Sequence, residues 1–406
     1  MANAYMTAHG ASVAGSGYVD SGPGVGLSAG SGAASQDSSS YPEVPGASID
    51  AYAYMSTGGT AQGAMTIDGT VPEGCIDSVL MDVEDPIVQN EEVYTYDIMV
   101  EDINALSKAY SKRLKVRTIG KSADGRDLYE LIIGNEGAAT HVLIDAAIHG
   151  REYITSNLCM RQVEYLLHFY DEGSYAGKPL KTWFDNVCLH VVPMVDPDGV
   201  SISQFGLSGI RSSELQATIQ KAYQDDTAQG YTSYDLDTYL SRWKANARGV
   251  NLNQNFDAMF DQAPGTSTLP SAEDYRGAYA ASEPETKALT ELYDSRVWRA
   301  VVNYHAQGRI IYWDIENNKM REHSRDLSNN LMLLTGYQKA IAGGGGGFKE
   351  YVQLCSRPAA SVTIEVGLGT CPLPGSQMES IWAQNKFVPL MTMKWAYDKF
   401  VVNNDR

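Results

Sequence analysis

His149 and Glu152 stand three residues apart, directly after the largely apolar run 141–148. In an α/β sheet, ligands gather at the carboxyl ends of strands, and a strand-to-helix junction can aim both side chains at one ion. His305 follows a second largely apolar run, Ala300 to Tyr304, and so stands at another expected strand end. Catalytic zinc takes three protein ligands and leaves its fourth position to water. His149, Glu152 and His305 together could meet that demand. Each signal is weak alone: an H-x-x-E spacing arises by chance, and a His after a strand is more often packed or solvated. His9, His141, His168, His190 and His323 have no partner motif and are expected to have no role.

The elements that would position these residues are visible as periodicity. Tyr96, Met99, Ile103, Leu106 and Tyr110 recur at helical spacing. Short strand-like runs follow at 114–119, 128–133 and 141–147. Residues 152–170 read as an amphipathic helix, 187–195 as a buried strand, and 196–199 (DPDG) as a turn. Runs 300–304 and 361–366 read as two further buried strands. Helices are expected from about Met378 and near Leu390 to Val401. Strands that alternate with helices and carry continuous apolar runs argue for an α/β fold with a mixed, mostly buried central sheet flanked by helices. We place that single globular domain at 92–406. Residues 1–45, rich in Gly, Ser and Ala, are expected to be a disordered low-complexity segment. Residues 46–91 are expected to be an acidic linker or pro-segment.

The net charge of −18 is uneven: fifteen Asp and Glu precede the first basic residue, Lys108, and the rest of the chain is near neutral. No basic footprint for nucleic acid is present. No apolar run approaches the ~18 residues of a membrane span. The five cysteines form no C-x-x-C pair and imply neither a disulfide framework nor a Cys zinc site. Cys355 and Cys371 could form a single bridge, whereas Cys159 and Cys188 read as core. The N-terminus has neither the basic start nor the apolar stretch of a signal peptide. Either export relies on a segment outside this chain or the protein is cytoplasmic; the acidic Gly/Ser-rich start suits a secreted or cell-surface protein.

Four motifs taken in order resemble the zinc carboxypeptidase (carboxypeptidase A-like) family. Residues 149–152 (HGRE) match its H-x-R-E zinc motif. Residues 248–256 (RGVNLNQNF) stand where it has RGVDLNRNF. His305 opens the segment of the third ligand, and Glu365 lies in TIE at 363–365, on the strand of the catalytic Glu. The resemblance runs from about Tyr94 to Val401. It implies one Zn2+ held by His149, Glu152 and His305, with Glu365 as the general base that activates water. It also implies a cation for the oxyanion, Lys244 or Arg248, and a groove lined by Arg151. The segments HAQG at 305–308, GGGGGFKEY at 343–351 and PLP at 372–374 resemble the bacterial branch that includes γ-D-glutamyl-L-diamino acid peptidases.

The chain departs from the family pattern in three places. Asn251 replaces the Asp that accepts a hydrogen bond from the first His ligand. Gln254 replaces the Arg that grips a terminal carboxylate, while Asn253 beside it is retained. The Tyr that caps the site is not evident; Gln353 takes its expected position, with Tyr351 near. Without the charge-assisted Arg grip, simple C-terminal trimming is disfavoured. The expected substrate is therefore a peptidoglycan stem peptide, cut at the γ-D-Glu to diamino acid bond. The alternatives are a metallocarboxypeptidase of ordinary peptides and a zinc-binding wall-recognition module with weakened catalysis.

Overall fold

A computed structural model describes residues 76–77, 82–265, 267–341 and 344–403. The segment 1–45 and most of 46–91 lie outside the described residues. Eight strands form one sheet: β1 Leu114–Lys121, β2 Asp127–Ile133, β3 Thr140–Ala146, β4 Val187–Val192, β5 Ala300–Ala306, β6 Ile310–Asp314, β7 Gln338–Ile341 and β8 Ala360–Val366. Their order is β7-β6-β8-β5-β3-β4-β2-β1. The inner pairs β4–β3, β3–β5 and β5–β8 are parallel, while β8–β6, β2–β4 and β1–β2 are antiparallel. The sheet is therefore mixed, as its apolar runs predict.

Helices cover both faces, which explains why β4 and β5 are buried at every residue. They are α1 Tyr96–Ala109, α2 Ile154–His168, α3 Leu180–Asn186 and α4 Pro197–Phe205. Then come α5 Ser213–Ala228, α6 Leu236–Ser241, α7 Pro284–Asp294 and α8 Arg321–Thr335. The last three are α9 Phe348–Leu354, α10 Met378–Asn385 and α11 Val388–Tyr397. The larger apolar core lies between the sheet and α1, α2 and α11, with Leu158, Val163, Leu390 and Met393 fully buried. A second core around Phe256, Trp298 and Phe348 fills the other face.

Two expectations change. Residues 196–199 are not a turn but the start of α4. Asp196 caps that helix, its side chain accepting from Gly199 N at 2.9 Å, and Pro197 occupies the first turn. The four described cysteines are free, so Cys355 and Cys371 form no bridge. Residues 82–91, within the segment expected to be an acidic linker or pro-segment, pack on the domain: Val88 is buried, and Ile87 N and Val88 N both donate to the Glu164 carboxylate.

One buried loop, 243–255, crosses the carboxyl ends of the strands and is held hard. Trp243 is fully buried and donates from Nε1 to the Asn246 carbonyl at 3.1 Å. Asn246 donates to Glu283 at 2.8 Å and Glu285 at 3.1 Å, and accepts from Arg248 N and Val250 N. Glu285, in the first turn of α7, also accepts from Ala123 N at 2.8 Å. Burial, reinforced by Asp198, pushes its carboxyl up from 4.5 to about 8. The folded chain therefore holds a proton that the unfolded chain releases. That contribution is fully present below pH ~4.5 and falls as pH rises toward 8, by an amount on the order of 4 kcal/mol. We predict that Glu285→Gln flattens the decline of the urea midpoint between pH 5 and 8. An unchanged slope would show that Glu285 is ionised in the folded chain.

Candidate metal centre and active site

β3 lies between β4 and β5, and the chain leaves it toward a different neighbour on each side, which opens a crevice at its carboxyl end. The chain turns sharply there: Ala147 has φ +47, a conformation disfavoured for any residue with a Cβ. The turn is pinned by Ala147 N donating to Thr155 Oγ1 at 3.0 Å, while that hydroxyl donates to the Glu152 carbonyl at 2.7 Å. His149 then precedes a single 3-10 turn, Gly150–Glu152. Gly150 is required by close approach: a Cβ there would lie 2.3 Å from the Gly199 carbonyl carbon. Its N–H donates to the Lys244 carbonyl at 3.1 Å, which ties the turn to the 243–255 loop.

Three donor atoms converge. His149 Nδ1 is 2.9 Å from Glu152 Oε1 and 3.1 Å from His305 Nδ1, which is 3.1 Å from Glu152 Oε2. All three residues are buried. A tetrahedral zinc ion with bonds near 2.0–2.1 Å sets its donors roughly 3.3 Å apart, so two imidazoles and a carboxylate in this arrangement fit it. Burial, helped by Lys244, drives His149 down to about 3 against the pull of Glu152, leaving its ring neutral with a lone pair to give. Burial opposes charge on Glu152, but His149 and His305 outweigh it and hold the carboxyl well below its usual range. Burial also opposes charge on His305, yet Glu152 prevails and raises it. A proton on His305 is thus the natural substitute for a cation at this spot.

Glu365 lies on β8 directly beside His305 on β5, in hydrogen-bonded register. Burial lifts its carboxyl to about 7 against the pull of His305. A carboxylate poised there takes and returns protons near neutral pH.

The surroundings sort the remaining sequence candidates. Asn251 sits behind the first ligand: His149 Nε2 donates to its Oδ1 at 3.2 Å, which fixes Nδ1 toward the cluster. The same oxygen accepts from Asn253 N at 3.1 Å, and Nδ2 donates to the Glu273 carbonyl at 2.9 Å. An Asp here would set an acceptor against that carbonyl, so the loop is built for Asn. Asn253 holds the site rather than lining it: Oδ1 accepts from Phe348 N at 3.0 Å and Nδ2 lies 3.5 Å from His305 Nε2. Gln254 is buried, and its Oε1 has no partner. Lys244 is felt electrostatically at both His149 and Glu365. Arg248, the other oxyanion candidate, is instead half-exposed and turned to Glu283 at 3.7 Å.

Tyr351 and Gln353 do not stand over the site, contrary to expectation. α9 packs against the sheet and carries both away. The Tyr351 hydroxyl donates to Asp294 at 3.2 Å, and Gln353 is fully buried, donating to the carbonyls of Trp313 and Ser361. Two residues to which the sequence assigned no site role are brought in. Tyr312 on β6 pairs with Thr363 and so shares the face of Glu365, whose charge helps burial raise its hydroxyl. Glu273 accepts from Arg151 Nη2 at 2.6 Å and lies 3.8 Å from Lys244 Nζ. Burial would raise it, but Arg151 and Lys244 bring it down to about 2. It holds two cations beside the cluster, and Arg151 keeps a buried Nε–H without a partner.

The sequence profile described as zinc carboxypeptidase matches residues 99–387. A γ-D-glutamyl-L-diamino acid endopeptidase 1 from Lysinibacillus sphaericus is 30% identical over 302 residues, covering 73% of this chain and 72% of its own. An uncharacterized Bacillus subtilis (strain 168) protein, YqgT, is 26% identical over 307 residues, covering 74% and 77%. The crystal structure of thrombin activatable fibrinolysis inhibitor (TAFI) superposes with a TM-score of 0.58 at 18% identity, over 80% of this chain and 78% of its own, a likeness of fold.

Two outcomes follow from this geometry. Asn251→Ala should lower zinc affinity ~10–100-fold in chelator competition, because His149 loses the acceptor that orients it. Gly150→Ala should strip the metal more completely, since Gly199 leaves no room for a Cβ. Zinc content equal to that of the wild type in both variants would refute the arrangement.

Proposed function

The chain belongs to the zinc carboxypeptidase family, and from that premise we propose that it hydrolyses peptidoglycan stem peptides at the bond between γ-D-Glu and the diamino acid. The hydrolytic part of this reading rests on one observation above all: Glu365 is locked in register beside His305, itself one of three converging donors. When bound, zinc polarises the scissile carbonyl and lowers the pKa of a water toward ~7. Glu365 then accepts the proton of the attacking water and returns it to the leaving amine. Lys244 and Arg151 supply positive charge for the developing oxyanion. The Lys244 ammonium acts as a point charge rather than a bidentate fork. Glu273 keeps both cations in place between turnovers.

The substrate part draws support from two sides. The relative from Lysinibacillus sphaericus is named for cleavage at γ-D-glutamyl-L-diamino acid. Gln254 puts a neutral amide with a spare acceptor where a carboxylate grip would need a guanidinium. A neutral acceptor suits an amide N–H or an ammonium group of a branched stem peptide. Action on the wall would place the protein outside the cell membrane.

Zinc-loaded protein incubated with muropeptides should release diamino-acid fragments from tri- and tetrapeptide stems, read by mass. Glu365→Gln should slow this ~10²–10⁴-fold while zinc content stays unchanged. Intact stems alongside release of single C-terminal residues from ordinary peptides would favour an ordinary carboxypeptidase instead. Identical behaviour of wild type and Glu365→Gln would reduce the protein to a binding module.

A further inference from the structure

We propose that His141, Cys188 and His190 form a second metal site, suited to a thiophilic transition-metal ion such as zinc, at the far end of the sheet from the catalytic cluster. His141 is near the start of β3, while His149 follows its end, so the two sites lie roughly 20 Å apart along the strand. The three side chains come together through register. His141 pairs directly with Cys188 on the parallel neighbour β4, so both point to the same face. His190 is two residues further along β4 and points the same way. One donor atom from each lies within 4.8 Å of the others.

The hydrogen bonding of this cluster is compatible with a cation shared by its three donors. His190 Nδ1 donates to Glu130 Oε1 at 2.6 Å, in the buried interior of the sheet. Its Nε2 therefore carries the lone pair, which faces His141 Nδ1 at 3.0 Å and also receives Arg296 Nη1 at 3.2 Å. His141 has a second place to send its own proton, the main chain at Ala138. In that tautomer both imidazoles turn a lone pair to the same point, where a metal ion could take the two together. A proton is disfavoured: burial, followed by the charges of His190 and Arg296, drives His141 down to about 4.

The remaining features resemble a metal site with its supports. A carboxylate holding the outer N–H of a histidine, as Glu130 holds His190, is the usual way to orient a ligand and raise its basicity. Trp298 covers the pair, its ring 4.9 Å from His190 and 6.1 Å from His141. Arg296 lies 3.8 Å from Glu130 and donates to His190 Nε2 at 3.2 Å, so a bound ion would displace that hydrogen bond and leave Arg296 to Glu130. The charge that must balance the ion comes from Cys188. Burial holds its thiol up at about 12, so on binding the S–H bond breaks, an S–metal bond forms and one proton leaves to solvent. Two imidazoles and a thiolate suit zinc or another ion of similar softness. Donors around zinc sit roughly 3.3–3.6 Å apart, an adjustment of about 1 Å from the present spacing. His141 is partly exposed and gives the ion its way in.

Metal counting and cobalt spectroscopy test this without relying on activity. Protein stripped by chelator and dialysed against Zn2+ should retain two zinc ions per chain, and Cys188→Ser should retain one with peptidase activity unchanged. Loaded with Co2+, the wild type should show a near-ultraviolet thiolate-to-cobalt band. The catalytic cluster contains no sulfur, so Glu152→Gln should keep that band and Cys188→Ser should lose it. His141→Gln alters a partly exposed ring and threatens the fold least; it should weaken the second zinc at least tenfold with an unchanged thermal midpoint. A single zinc in the wild type, no band, or a band that survives Cys188→Ser would each overturn the proposal.

Discussion

The centre of this molecule is an electrostatic conflict: two imidazole nitrogens and a carboxylate are held about 3 Å apart in a place that water does not reach. Three electron-rich groups cannot sit so close unless something positive lies among them. In the bare protein a proton on His305 can serve, and a bound zinc ion would do so with twice the charge. The surrounding structure can be read as the apparatus that enforces the conflict. β3 and β5 run parallel and deliver two donors from their ends. The strained Ala147 turn swings Glu152 back under His149, and two glycines in backbone contact leave the turn nowhere else to go.

Around that centre charge is arranged with economy. Glu273 gathers Arg151 and Lys244, so neither cation wanders into solvent or onto the metal ligands. The main chain of Glu273 in turn receives Asn251, which steadies His149. One short segment thus holds both the cations and the tautomer of the first ligand. Exchange of Asn251 for a carboxylate would improve the charge behind His149 and spoil the contact to Glu273, so the neutral amide is part of a matched set.

Much of this was legible in the sequence, for physical reasons that can be named. Buried parallel strands must be apolar throughout, so β3, β4, β5 and β8 announced themselves. The three converging donors, His149, Glu152 and His305, were visible because their types are rare at strand ends. α8 was hidden because its buried face carries Ser324 and Ser328 beside Leu327 and Leu331, which breaks the apolar period. α5 was hidden because it is mostly exposed, burying little beyond Ile219 and Ala222. The DPDG segment has turn composition, yet Asp196 and Pro197 start a helix. Tyr351 and Gln353 were misplaced because distance along a chain says nothing about which way a helix faces. Tyr312, Glu273 and the His141–Cys188 pairing reach their partners only through strand register or a long loop, and no local pattern records that.

The register of β5 with β8 has a consequence for how such an enzyme can change. His305 and Glu365 are fixed to each other by main-chain hydrogen bonds, while the chain between them travels out through β6, α8, β7, the glycine-rich loop and α9 before returning. That excursion is therefore free to lengthen, shorten or acquire new side chains at its outer bends without moving the reacting groups. The same holds for the long path from Glu152 to Asn251. If His305 and Glu365 carry the proposed chemistry, recognition would be carried by separate stretches of the polypeptide, and a new substrate could be acquired by rewriting the excursions alone.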